Sequence, residues 1–383
     1  MTVDLSLGFV PLLDAAPLIV AAELGFAEQE GLALHLHRAA SWSQLRDMLD
    51  MGAVDAAHML SVMPVARALG LGGGQGRLDV LMVLSMNGQV VGLSQELAGV
   101  ADGLPFGDPA VAGALAATGR ALRFGVPFPF SMHALLLHYW LSRMAPGLAF
   151  SLHSVPPPRM AEALQAGEID GFCVGEPWGT RAVQVAGARL VLPGAAIWSQ
   201  SPEKVLAARH GWAEAQPEIA AALLRAVWRA GMWAADPDNR TTLAELLALP
   251  RNLDTSSLHI EPALRGRVLP TARGAEVEVA QLLAFHEGLA NFPWRSQAGW
   301  IGAELAAAHG LEPASAMGAA RATFRSDLYR RLMAGAGVPL PRASDKAEGA
   351  LAAAESVPGV KGGLTLARNR FFDGAIFDPL LVG

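Results

Sequence analysis

Short apolar runs bounded by glycine or proline alternate with stretches whose apolar residues recur at helical spacing. Residues 5–10 predict a strand, 15–24 a helix with Pro17 in its first turn, and 32–37 a second strand. Ser41 opens the next helix, 55–59 form a short strand, and 63–69 a helix. Residues 78–94 read as a strand pair broken at Asn87-Gly88, and mark a first crossing between two lobes. Residues 203–209 mark the return, followed by an amphipathic helix over 217–233. Beyond Asn239 the pattern predicts helices at 241–249, 277–289 and 300–310, a loosely held 334–358, and an aromatic end at 371–379 that docks. Strand–helix alternation with short connections predicts an α/β fold with a mainly parallel sheet.

The stretch 124–178 carries the strongest site signal. A buried strand runs into Pro127-Phe128-Pro129, and Ser131 then caps a helix beginning Met132-His133. A second strand–helix–strand unit ends at Gly175-Glu176-Pro177-Trp178, again a turn into a helix. Helix mouths at strand C-termini offer free N–H groups to an anion, in the crevice where open α/β sheets bind ligands.

Composition narrows the function. Hydrophobic residues make up 52% and charged residues 17%, enough apolar content for two sizeable cores. A net charge of −6 gives no electrostatic footprint for direct nucleic-acid contact. The single cysteine, Cys173, lies in an apolar run and reads as a packed thiol, with no cysteine cluster for a metal. His35, His37 and His58 lack a ligand pattern and read as structural, so neither metal nor cofactor is expected. Glycines at 70, 72, 73, 74 and 76 form a connector without the lysine of a phosphate loop. Met1-Thr2-Val3-Asp4 leads straight into a strand without a signal-peptide pattern, and no stretch suits a membrane span; both favour a cytoplasmic protein.

Several segments, in order and with compatible gaps, resemble the nitrate-binding proteins of bacterial nitrate uptake and assimilation. They are Gly8-Phe9-Val10-Pro11-Leu12 with Asp14-Ala15-Ala16-Pro17-Leu18, Ala40-Ser41-Trp42, Met86-Asn87-Gly88-Gln89, Val155-Pro156-Pro157-Pro158, Gly175-Glu176-Pro177-Trp178 and Pro202-Glu203-Lys204. The resemblance covers roughly residues 5 to 310 and implies a two-lobed type II periplasmic-binding-protein fold with the ligand cleft between the lobes. With the crossings, it divides the chain into lobe 1 (1–90 and 200–340), lobe 2 (91–199) and a C-terminal extension (341–383).

The same resemblance implies a nitrate or nitrite site at Trp42, Gln89, His133, Gly175 and Lys204. Nitrate is planar, with three acceptor oxygens and one delocalised charge. Lys204 would supply the cation, worth about 4 kcal/mol at ~4 Å and an effective dielectric of ~20 before desolvation. Gln89, the His133 ring, the Gly175 N–H and the Trp42 indole would supply donors or a flat wall. Singly, each has a plainer reading: Trp42 as core, Gln89 as a strand-edge polar group, His133 as a cap, Gly175 as a turn residue and Lys204 as a solvated charge. With Lys204 as the compensating cation, reversal to glutamate is expected to remove anion binding and leave the fold intact.

A leaderless member resembles the NasS-type cytoplasmic nitrate/nitrite sensors, which pair with a NasT-like RNA-binding antiterminator. The expected role is therefore a non-enzymatic regulator with a protein partner and no nucleic-acid or membrane contact of its own. The alternatives are the substrate-binding component of a nitrate ABC transporter and a biosynthetic enzyme on the same fold. No Gly-x-Ser-x-Gly elbow, cysteine–histidine pair or paired-carboxylate spacing supports the enzyme.

Overall fold

A computed structural model describes residues 2–74 and 76–381, so Gln75 of the glycine connector lies outside the described residues. The chain folds as two α/β lobes, each around its own sheet. Strands β1 (Val3–Phe9), β2 (Leu32–Arg38), β3 (Ala56–Leu60) and β4 (Leu78–Asn87) lie in lobe 1, with helices α1 (Ala16–Glu23), α2 (Trp42–Asp50) and α3 (Val62–Ala68) between them. Lobe 2 holds β5 (Gln89–Leu93), α4 (Val111–Ala117), β6 (Leu122–Val126), α5 (Met132–Met144), β7 (Phe150–Ser154), α6 (Met160–Gln165), β8 (Gly171–Gly175), α7 (Trp178–Ala186) and β9 (Arg189–Pro193). The short α8 (Gly194–Ile197) precedes β10 (Pro202–Arg209), which re-enters the first sheet.

The lobe 1 sheet runs from the two-residue strand Leu283–Ala284 through β4, β10, β3 and β1 to β2. The lobe 2 sheet is ordered β7, β6, β8, β5, β9. Both are mixed, which corrects the mainly parallel expectation. β1 runs parallel to β2 and β3, and β6 parallel to β7 and β8. The strands next to the crossings reverse: β10 is antiparallel to β3 and β4, and β5 antiparallel to β8 and β9. A chain that leaves one sheet and comes back beside its exit must run against it.

The first crossing is a kink at Asn87 (φ 59°) and Gly88 (φ 97°), left-handed backbone that suits glycine and asparagine. The return lies at 194–201, before β10, and not at 203–209 as the sequence pattern suggests. The two crossings are tied together: Asn87 N–H donates to Ser201 O (3.0 Å), Asn87 Nδ2 to Ser199 O (2.9 Å), and Ser201 Oγ to Asn87 Oδ1 (2.7 Å).

All ten residues of β4 are buried, and each large aliphatic side chain there contributes about 1.5–3 kcal/mol. Residues 277–289 are not the expected helix but two short strands and a 3₁₀ turn, with Gln281, Gly288 and Leu289 at positive φ. The aromatic end does dock. Phe371 stacks on Trp198 (4.8 Å between ring centres) and packs on Tyr139 (5.3 Å) and Trp300 (5.7 Å). Asp373 accepts from Tyr139 Oη (3.1 Å) and pairs with Arg143 (2.8 Å), both on α5. Trp198 Nε1 donates to Asn369 (2.8 Å). No helix among the described residues is long and apolar enough to cross a membrane.

Candidate anion site between the lobes

Five elements bring the residues singled out by sequence to one place. Trp42 is the first residue of α2, whose N-terminus is capped by Ser41 Oγ accepting from Gln44 N–H (3.2 Å). His133 is the second residue of α5, capped in the same way by Ser131 on Ala134 N–H (3.2 Å). Gln89 opens β5 and Gly175 closes β8, and the two are register partners. Lys204 lies inside β10, between Leu60 of β3 and Ser85 of β4. The four side chains are all buried, Lys204 completely.

The lobes close over this point along the loop after β1. Leu13 N–H donates to Glu176 O (3.3 Å), and Trp178 Nε1 donates to Pro11 O (3.1 Å). Glu176 itself caps α7 by accepting from Thr180 N–H (3.0 Å), and burial pushes its carboxyl up to about 7.

Lys204 is neither the plain solvated charge nor the free cation that the sequence suggested. Its Nζ donates to Asp14 Oδ2 (2.7 Å) and Glu203 Oε1 (2.9 Å) and sits 5.4 Å from the centre of the Trp42 ring. Asp14 Oδ1 also lies 2.9 Å from His58 Nε2, and Glu203 Oε1 lies 3.2 Å from His133 Nδ1. That last contact is close but not aligned as a hydrogen bond, because both His133 nitrogens are buried without a partner. Sequence reasoning missed Asp14 and Glu203 and dismissed His58. The available signal was an ionisable residue inside an otherwise apolar run: His58 in Ala56-Ala57-His58-Met59-Leu60, and Asp14 in Leu12-Leu13-Asp14-Ala15-Ala16.

The electrostatics follow from this pairing. Burial alone would raise Asp14, but the Lys204 ammonium and His58 overcome it and hold Asp14 at about 2. Burial pushes Glu203 up to about 7 against the pull of Lys204. Lys204 would be lowered by burial, yet its two carboxylates raise it. His58 and His133 are lowered by burial and stay neutral. Charge reversal at Lys204 would therefore bring three carboxylates into one dry cluster, and the expectation of an intact fold does not survive this geometry.

Several polar atoms around this cluster are buried and unpartnered: Trp42 Nε1, both His133 nitrogens, Gln89 Oε1 and Glu203 Oε2. Orphaned buried groups of this kind cost free energy unless a ligand or water meets them. The Gly175 N–H lies beside them. Glu176 N–H bonds Gly88 O (2.9 Å), so by antiparallel alternation the Gly175 amide points away from β5. The Trp42, His133 and Gly175 N–H groups with a lysine match the needs of a small planar anion.

Gly175 also keeps the space open. A Cβ there would stand 3.0 Å from Leu12 Cδ2, 3.8 Å from His133 Nε2 and 3.9 Å from Asp14 Oδ2. Gly175→Ala is expected to weaken anion binding at least tenfold, seen by titration calorimetry. Its melting temperature should stay close to the parent's, since only the tip of Leu12 must yield.

Comparison with known proteins places this geometry in context. Residues 2–248 match the NMT1-like family. The chain is 33% identical over 388 residues to the nitrate/nitrite binding protein NrtA of Synechococcus elongatus, covering 98% of this chain and 83% of that protein. It is 35% identical over 311 residues to the nitrate import ATP-binding protein NrtC of Synechocystis, covering 79% of this chain and 46% of that longer protein. The crystal structure of the periplasmic nitrate-binding protein NrtA from Synechocystis superposes with a TM-score of 0.86 at 26% identity, covering 99% of this chain and 96% of that one.

Proposed function

Because the chain belongs to the NMT1-like family and is related to NrtA over nearly its whole length, we propose that it binds nitrate or nitrite between its lobes as the ligand-binding component of an uptake system. The carrying observation is the set of unpartnered buried donors from Trp42 and His133 beside Lys204. We read the site as one for binding and not for chemistry. Cys173 is buried with its thiol raised well above the usual range by burial, so it is no nucleophile at neutral pH.

The named relatives serve nitrate binding and import. They support uptake over the cytoplasmic sensor paired with a NasT-like antiterminator that the sequence suggested. That regulatory expectation rested on how the chain begins, on its acidic charge and on its two lobes, none of which discriminates between the two roles.

Titration with nitrate, nitrite and bicarbonate tests the reading. One nitrate or nitrite per chain is expected, and micromolar affinity corresponds to about −8 kcal/mol. An ion pair plus several charge-assisted hydrogen bonds in a dry site can supply that. No heat and no thermal shift with either nitrogen oxyanion would overturn it.

A further inference from the structure

The site contains one ammonium, two carboxylates and two imidazoles, all buried. An anion entering it adds a third negative charge to a single positive one. Low-dielectric surroundings do not tolerate that imbalance. Either the anion is excluded or a compensating proton comes with it.

The geometry points to where the proton goes. The groups facing Glu203 are Lys204 on its own strand, His133 from α5, Asp14 from the loop after β1, and Cys173 from β8. His58 of β3 reaches the cluster through Asp14. Asp14 is saturated by Lys204 and His58, whereas Glu203 Oε2 and both His133 nitrogens have no partner. With Glu203 ionised and His133 neutral, two arrangements exist. If the ring proton is on Nδ1 it faces Glu203, and a lone pair on Nε2 faces the Gly175 side, where it repels an anion. If the proton is on Nε2, the lone pair on Nδ1 opposes the Glu203 carboxylate at 3.2 Å. One further proton resolves both. Whether Glu203 or the ring carries it, the added proton removes the clash between the Nδ1 lone pair and the Glu203 carboxylate and leaves Nε2 free to be a donor.

We propose that the anion binds together with one proton, held by the Glu203–His133 pair, so that the site takes up the elements of an acid and not a bare anion. This rests on the anion-binding reading above and deepens it. Glu203 acts as a specificity residue by setting the donor character of His133.

The test is calorimetry of nitrate and nitrite binding at pH 8 in two buffers of different ionisation enthalpy, HEPES and Tris, followed by affinities from pH 6 to 9. Approximately one proton taken up per anion is expected. Affinity should be nearly level below pH 7 and fall by roughly tenfold per pH unit above it, the linkage of a single proton. In Glu203→Gln, whose amide also donates toward Nδ1, the uptake should vanish and the profile should flatten. Equal heats in both buffers with a level wild-type profile would overturn the proton coupling while leaving anion binding in place. Absence of binding at every pH would overturn the anion reading itself. The wild-type measurement decides the matter even where the variant does not fold.

Discussion

Lys204→Ala is expected to abolish measurable anion binding and to cost about 3–5 kcal/mol of stability, the usual loss on breaking a buried ion pair from one side. The reason lies in its surroundings and not in its charge alone. Removing the ammonium leaves Asp14, held at about 2 by that neighbour, facing Glu203 with no cation between them. Lys204→Glu should be worse still and fail to accumulate as folded protein. Asp14 offers the complementary check through acid. Its folded value lies below the ordinary 3.8, so its contribution is present above that value and is lost as pH falls toward 2. Denaturant melts of wild type and Lys204→Ala at pH 7 would measure the first effect directly. A fully stable Lys204→Ala protein that still binds nitrate would return the residue to a bystander.

Phe371→Ala is the second large effect expected, at about 3–5 kcal/mol for truncating a buried aromatic in a packed cluster. Phe371 lies against Trp198, Trp300 and Tyr139, which come from the return crossing, from helix Arg295–His309 and from α5. The C-terminal segment thus binds both lobes to the region of the crossings. Loss of the ring should also weaken anion binding, because Trp198 adjoins Ser199 and Ser201, which fix Asn87. Conservative Phe371→Leu should restore most of the stability. Thermal melts and nitrate titrations on the two variants would separate a packing effect from a local one.

The two lobes and the helix starts were legible because they are set by local chemistry. Ser41 and Ser131 each stand before an apolar helical repeat, and both make the capping bond their position suggests. Of the five residues implied by family resemblance, Trp42, His133, Gly175 and Lys204 come together at one buried cluster, whereas Gln89, opposite Gly175, spends its amide donor on Ser201 Oγ (3.2 Å). What the sequence hid is non-local. Asp14 meets Lys204, its chain partner 190 residues on, only because β10 returns to the middle of the first sheet, and no pattern along the chain reports that partnership; Glu203 is the immediate neighbour of Lys204 and was overlooked. The antiparallel course of β5 and β10 was hidden for the same reason. Residues 277–289 misled differently. Val277, Val279, Leu282, Leu283 and Phe285 recur at spacings that fit a helix, but the segment folds as edge strand and turn against β4 and the Asn87–Gly88 kink.

The crossing pair has a consequence for the order of events. With the site fully enclosed, an anion can enter only if the lobes part, and the bonded pair at Asn87 and Ser201, where both crossings meet, is the expected axis of that swing. Atoms of a rotating body move in proportion to their distance from the axis. Gln89 and Lys204 lie only two and three residues along the chain from that axis and would be displaced least by the swing. Trp42 rides with Lys204 on lobe 1, and His133 with Gly175 on lobe 2, so the two sets would meet only at its end. An arriving anion would therefore meet one lobe's share of its ligands before the other's. The early share governs how often an encounter succeeds, and the late share governs how long the visitor stays.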